Sequence, residues 1–279
     1  MLTYFQAIIM GAMQGISELF PVSSLGHSVI LPKLLGWSVN QNDNFFLIFL
    51  VATHLATALV LLGFFYKDWL LIIKGILRSI KIREIQNTDT YAKLGWLIVI
   101  GTIPAGILGI LFEDKLKVLF ASPNAVAIFL ILNGLLLYGA ELLRRNKSTT
   151  ENLDQMSWSQ SIKIGLAQCL ALIPGFSRTG STIGGGLLIG LNHKDAARFS
   201  FLLATPIIFA AAVLKLPELL TSSGSGSIGP ILVGSLVAAM TAYLSISFLT
   251  KYFETKKLTP FAVYCVAIGI ISSIVFLFR

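Results

Sequence analysis

Long apolar runs separated by short polar segments set the outline of this chain. A helix needs about 20 predominantly apolar residues to cross the roughly 30 Å hydrocarbon core of a bilayer. Six stretches meet that demand: Phe45–Tyr66, Ala92–Phe112, Asn124–Leu143, Phe199–Lys215, Gly229–Leu249 and Pro260–Phe278. The fourth is the shortest. Four further apolar stretches, Phe5–Phe20, Ser23–Gly36, Ser161–Ile173 and Ser181–Leu191, are too short or too interrupted to span. They meet in pairs at Pro21-Val22-Ser23-Ser24 and at Pro174-Gly175-Phe176-Ser177. A helix broken at membrane depth is tolerated only where protein buries the backbone or a wet cavity receives it. The pattern predicts an all-α integral membrane protein with six transmembrane helices plus two re-entrant helical hairpins.

The two halves echo each other. Gln14…Pro21-Val22-Ser23-Ser24-Leu25-Gly26-His27-Ser28 parallels Gln168…Pro174-Gly175-Phe176-Ser177-Arg178-Thr179-Gly180-Ser181, and Leu50-Val51-Ala52-Thr53 parallels Leu202-Leu203-Ala204-Thr205. One hairpin and three spans per half give an odd number of crossings, so the second copy is inverted. Residues 1–279 then form a single membrane domain, with repeat one about 1–145 and repeat two about 158–279. Broken helices meeting near the midplane are a property of such inverted-topology repeats.

Composition changes the picture only by narrowing it. Of 279 residues, 55% are hydrophobic and 12% charged, about half the charge of an ordinary soluble domain. A soluble globule, a disordered chain and a disulfide scaffold are all excluded. The net charge of +8 reads as membrane orientation and affinity for anionic lipid headgroups, with no nucleic-acid partner implied. Basic residues concentrate after the first span (Lys67, Lys74, Arg78, Lys81, Arg83), after the third (Arg144, Arg145, Lys147) and after the fifth (Lys251, Lys256, Lys257). The other two loops are poorer, with Lys115 and Lys117 offset by Glu113 and Asp114, and Lys215 facing Glu218. The rich loops are expected inside, which puts the first hairpin's ends outside and the second's inside; Lys194 and Arg198 agree. No Lys or Arg precedes Lys33, so the amino terminus lacks the basic region of a signal peptide. Cys169 and Cys265 sit in apolar runs and read as buried small hydrophobes.

Ionisable groups inside apolar segments are costly and mark function by default. Glu18, His27 and Arg178 all lie in the broken hairpins. Gln14 and Glu18 share a helix face at i, i+4, and Ser24 and His27 share one at i, i+3 if the chain turns helical after Pro21. A carboxylate, an imidazole and hydroxyls at one break can supply a nucleophile, a proton shuttle and an orienting acid. The blander reading is that Glu18 and His27 pair to close a buried polar gap. The second hairpin argues against it by supplying a complement. Ser177 can cap a helix starting at Arg178, so that free N–H groups, hydroxyls and one guanidinium converge on the break, a phosphate-type anion site. Gly184-Gly185-Gly186 reads as close helix packing.

Other features take structural readings. His54, alone on the first span beside Thr53 and Thr57, is expected to be satisfied by helix–helix hydrogen bonds. His193, next to Asn192, Lys194 and Asp195, is expected in solvent. The chain offers too few clustered His and acidic residues for a dedicated zinc site. Lys67–Arg83, with Trp69, Leu70, Ile72, Ile73 and Ile76 interleaved, reads as an interfacial helix. Trp69 and Trp158 read as interfacial anchors.

Gln14-Gly15-Ile16-Ser17-Glu18, Pro21-Val22-Ser23-Ser24-Leu25-Gly26-His27 and Pro174-Gly175-Phe176-Ser177-Arg178-Thr179-Gly180-Ser181-Thr182 resemble the signature motifs of the bacterial undecaprenyl-diphosphate phosphatases of the bacitracin-resistance type. The resemblance covers essentially the whole chain. It implies hydrolysis of undecaprenyl diphosphate to the monophosphate carrier reused in peptidoglycan synthesis, at the outer face of the bacterial cytoplasmic membrane, and bacitracin resistance. Position by position it implies a motif acid at Glu18, a nucleophile at Ser24, the motif histidine at His27 and the phosphate-binding arginine at Arg178. Ser177, Thr179 and Thr182 match the hydroxyls around that arginine, and Gln14 and Ser23 complete the expected substrate-binding set. Three positions depart from the pattern: Gln14 stands where many members have Glu, Leu25 where Thr is common, and Thr179 where Ser is usual.

Together these features predict that Arg178 and the second hairpin hold the diphosphate while Ser24 attacks, with His27 as base and Glu18 orienting it. Attack by a water that His27 activates uses the same residues and stays open. No protein-built metal site is predicted, although a divalent cation (Mg2+ or Ca2+) could help neutralise the diphosphate. Membrane lipids are the other expected partner, and a homodimer stays open. The alternative function is a secondary transporter or flippase of a phosphorylated lipid or other anion, which also uses inverted repeats and half-helix termini.

Overall fold

A computed structural model of the chain describes residues 2–41, 43–112, 122–144, 152–221 and 228–278, with 216–221 as backbone only. Among these residues there are eleven α-helices and no strand. In chain order they are α1 (Tyr4–Ser17), α2 (Ser24–Leu34), α3 (Asn44–Phe64), α4 (Tyr66–Ile82), α5 (Thr90–Leu111), α6 (Pro123–Arg144), α7 (Trp158–Gln168), α8 (Arg178–Ile189), α9 (His193–Thr221), α10 (Ile228–Tyr252) and α11 (Thr259–Leu277). Six of them, α3, α5, α6, α9, α10 and α11, are long and apolar enough to cross a membrane. Large apolar side chains such as Leu59, Ile107, Leu135, Leu236 and Val263 point outward from them. The chain is a multi-span membrane protein whose outer surface is matched to lipid.

The two predicted breaks are real interruptions. Helices α1 and α7 both begin with a capping box, Thr3 with Gln6 and Ser157 with Gln160, which satisfies the first free amides at each start. Helix α1 ends at Ser17, and α2 begins only at Ser24. Between them Ser23 adopts a left-handed φ of 70° and caps α2 through its hydroxyl. Helix α7 runs into a short 3-10 turn, Cys169–Leu172, and Gly175 turns the chain at φ 105° before Ser177 caps α8. A side chain at Gly175 would clash as well as strain the backbone, because its Cβ would stand 2.6 Å from the Phe129 Cβ.

Small residues set how closely the helices approach. A Cβ at Gly11 would lie 2.2 Å from the Gly234 carbonyl oxygen, and one at Gly15 would lie 2.2 Å from that of Ala238, so α1 lies directly on the backbone of α10. Gly165 brings α7 equally close to Gly101 of α5, and Gly134 brings α6 against Ala262 of α11. Gly185 faces Ala167 and Gly186 faces Ala196, which gives the glycine triplet the packing role expected of it. Helix α4 buries Ile72, Gly75 and Ser79 against the bundle and leaves Leu70, Ile73, Leu77 and Ile80 exposed beside its basic residues.

His193 is not a solvated loop residue. Its Nε2 lies 2.9 Å from Glu141, and the same carboxylate oxygen accepts the Leu258 N–H at 3.1 Å, which joins α6, α9 and the start of α11. The partner stands 52 positions away, so the local polar neighbours gave no hint of it. Cys265 is fully buried and Cys169 partly so; both are free. Of the residues used for orientation, Glu113, Asp114, Lys115, Lys117, Arg145 and Lys147 lie outside the described residues, as does the side chain of Glu218.

Candidate active site

The two breaks meet inside the bundle, and one buried amide binds them. Asn133 of α6 has no exposed surface. Its Nδ2 donates to the Pro21 carbonyl at 3.2 Å and its Oδ1 accepts the Ser177 N–H at 3.0 Å. The Thr179 hydroxyl adds a second tie, donating to the Glu18 carbonyl at 2.9 Å. Unpaired backbone groups are expensive in an apolar interior, so these bonds fix the relative register of the two breaks.

Glu18 is the centre of the cluster. It sits just past the last turn of α1 and is 6% exposed. One carboxylate oxygen, Oε1, accepts from Arg178 Nη2 at 2.6 Å. The other, Oε2, accepts from the Ser24 hydroxyl, from Gln14 Nε2 at 3.2 Å, and stands 3.2 Å from His54 Nε2. The i, i+4 spacing of Gln14 and Glu18 therefore does place both on one face. Ser24, the first residue of α2, comes to the carboxylate because the left-handed Ser23 turns the chain back.

Arg178 opens α8, whose first amides have no intrahelical acceptor and point at the break. Its Nη1 is buried with no partner, and so is the Gln14 Oε1 on the same cluster. A buried unpaired guanidinium nitrogen is a costly group unless an anion completes it. The site thus combines a hydroxyl already hydrogen-bonded to a carboxylate with a cation and a helix terminus that can receive a phosphoryl group.

The remaining predicted hydroxyls do structural work. Ser23 caps α2 at Gly26 and Ser177 caps α8 at Gly180. Thr182 bonds back to the Arg178 and Thr179 carbonyls and lies 2.5 Å from the Ser200 hydroxyl. His27 turns away from Glu18. Its Nδ1 lies 2.7 Å from the Ser23 carbonyl and its Nε2 lies 2.9 Å from the Tyr264 hydroxyl of α11. The histidine that reaches Glu18 is His54, whose lone place on an apolar span predicts only a structural role.

The model of the family described as Bacitracin resistance protein BacA matches residues 7–271. The chain belongs to this family. It is 45% identical over 293 residues to the undecaprenyl-diphosphatase of Mycolicibacterium paratuberculosis, covering 96% of this chain and 95% of that protein. It is 46% identical over 270 residues to undecaprenyl-diphosphatase 2 of Chromobacterium violaceum, covering 95% and 96%. Undecaprenyl-diphosphatase 2 of Frankia alni is 40% identical over 339 residues, covering 99% and 98%.

A protein-built divalent-cation site does not fit this cluster. Both Glu18 oxygens already accept from donors, and the nearest charge to them is a cation. Among the described residues no group of three or more His, Cys, Asp and Glu side chains could hold a metal ion. The donor set favours an incoming anion.

Proposed function

We infer that this chain hydrolyses the terminal phosphate of undecaprenyl diphosphate, releasing undecaprenyl phosphate and inorganic phosphate, and so confers bacitracin resistance. The relatives' names supply the substrate. The observation that carries the chemistry is the Ser24–Glu18–Arg178 cluster, in which a hydroxyl donates to a carboxylate whose other oxygen holds a half-satisfied guanidinium.

Arg178 Nη1 and the start of α8 bind the terminal phosphoryl group and stabilise the charge on its oxygens. Ser24 Oγ attacks the phosphorus, and its proton passes to Glu18 Oε2, the atom it already faces. The bridging P–O bond breaks and the lipid monophosphate leaves with the bonding pair. Water then attacks the seryl phosphate, and Glu18 returns the proton to the departing Ser24 oxygen. Glu18 replaces His27 as the base in this scheme, because His27 hydrogen-bonds to Ser23 and Tyr264. His27 instead holds the turn that presents Ser24. An anion carrier would have no use for a hydroxyl set on a carboxylate opposite the arginine, which places the transporter reading second.

The architecture fits an inverted repeat of two re-entrant hairpins. Pairing α1, α2, α3, α5 and α6 with α7, α8, α9, α10 and α11 makes the packing reciprocal: α1 lies on α10 as α7 lies on α5, and α6 pairs with α11. The basic segments support an orientation with the first hairpin's ends outside, and the family resemblance implies the bacterial cytoplasmic membrane and a site open to the exterior. The groove beside the first break, lined by Ile16, Phe20, Thr241, Leu244, Ser245 and Phe248, is largely apolar and suits the polyprenyl tail.

Phosphate release from a polyprenyl diphosphate by purified protein in detergent tests the reading. Wild type should turn over, and Ser24→Ala, Glu18→Gln and Arg178→Ala should each lose at least about 10²-fold. A folded wild type that releases none, with and without added divalent cations, would overturn it and restore the transporter.

A further inference from the structure

His54 is the one histidine that touches the reactive cluster, and the hydrogen-bond geometry assigns its proton. Its Nδ1 lies 2.7 Å from the Leu50 carbonyl, one turn back on α3. A carbonyl oxygen only accepts, so Nδ1 carries hydrogen. Its Nε2 lies 3.2 Å from Glu18 Oε2. That contact is attractive only if a proton lies between the two atoms. The carboxylate already accepts from Ser24, Gln14 and Arg178, which is the pattern of an ionised group. The proton therefore belongs on Nε2.

We propose that His54 is a positioning residue of the active site, whose imidazolium Nε2–H holds the Glu18 carboxylate towards Ser24 and supplies, with Arg178, a second cation for the incoming diphosphate. The inference rests on the phosphatase reading above. With His54 charged, the cluster holds two cations against one carboxylate, a net positive site before substrate arrives. Gln14, uncharged, adds no second negative group, so the imidazolium is not cancelled. The other charges on the elements packed around α3 sit far along their helices. Helix α10 carries only Lys251, in its last turn. Helix α9 carries His193, Lys194, Asp195 and Arg198 in its first two turns and Lys215 and Glu218 far along it, while α4 carries Lys67, Asp68, Lys74, Arg78 and Lys81. Arg198 is in turn paired with Asp68.

The test is a pH series of kcat and KM on the purified full-length protein in detergent, comparing wild type with His54→Gln and His54→Ala. Gln can still donate a hydrogen bond to Glu18 but carries no charge. The wild-type kcat/KM should fall on the alkaline side, as the imidazolium loses its proton. His54→Gln should lose about tenfold in kcat/KM, mainly through KM, and that alkaline limb should disappear. His54→Ala, which also frees Glu18, should lose about 10²-fold, with kcat reduced as well. Thermal unfolding and gel filtration establish that each variant is folded. If His54→Ala fails to fold, His54→Gln alone decides. A folded His54→Gln with unchanged kcat/KM and the same alkaline limb would overturn the proposal while leaving the phosphatase intact. An inactive wild type, in contrast, would remove the function on which the proposal rests.

Discussion

Replacing Asn133 tests whether the site depends on the register between the two breaks. Asn133→Leu keeps the approximate size and removes its hydrogen bonds to the Pro21 carbonyl, the Cys265 sulfur and the Ser177 N–H. The Ser177 N–H then has no acceptor, and a buried unpaired group of this kind costs about 1–3 kcal/mol. The Pro21 carbonyl fares better, because the Cys265 thiol lies 3.8 Å from it and is a weak donor. The sum is about 2–4 kcal/mol of stability. Activity should suffer beyond that. Ser24 and Arg178 belong to different breaks, and a misplacement of about 1 Å between reacting groups costs roughly 10²-fold in rate. Thermal unfolding in detergent and phosphate release per folded molecule measure the two effects separately. An Asn133→Leu protein with wild-type midpoint and turnover would refute the idea that this amide holds the breaks together.

Arg178→Lys should reduce kcat/KM about 10²-fold, because one ammonium cannot both hold Glu18 Oε1 and offer a second planar donor to phosphate. Gly15→Ala should destabilise the fold by about 1–3 kcal/mol and lower activity, since the new methyl meets the Ala238 carbonyl three residues before Glu18. A thermal midpoint equal to wild type would count against that packing. Glu141→Leu should cost about 1–3 kcal/mol by freeing the Leu258 N–H. It should leave turnover per folded molecule unchanged, because Glu141 lies about 12 Å along α6 from Asn133.

The fold was legible to the extent that it depends on hydropathy and on local helix signals. All six long helices fall on the predicted stretches, and the Pro-containing breaks fall where the apolar runs were too short to span. The Ser177 cap and the start of α8 at Arg178 were readable because a cap acts over three residues. The contacts that sequence missed are long-range. His54 looked like an isolated polar residue on an apolar helix, and only the fold brings Glu18 to it. Asn133 lies in an apolar run and carries no charge, so nothing local marks it as the bond between the breaks. His27 shares a helix face with Ser24, as the spacing implied, yet its partner is Tyr264, 237 positions away. Helical periodicity gives the face of a side chain but not the neighbour it meets.

The most direct test of the central claim is to trap the transferred phosphoryl group. Purified protein would be mixed with a polyprenyl diphosphate labelled in its terminal phosphate, quenched within a turnover, and digested for peptide mapping. The proposed chemistry predicts acid-stable label on the peptide containing Ser24, more of it when water attack is slowed, and none in Ser24→Ala. Full turnover by Ser24→Ala with no labelled peptide in wild type would contradict it and assign the attack to water.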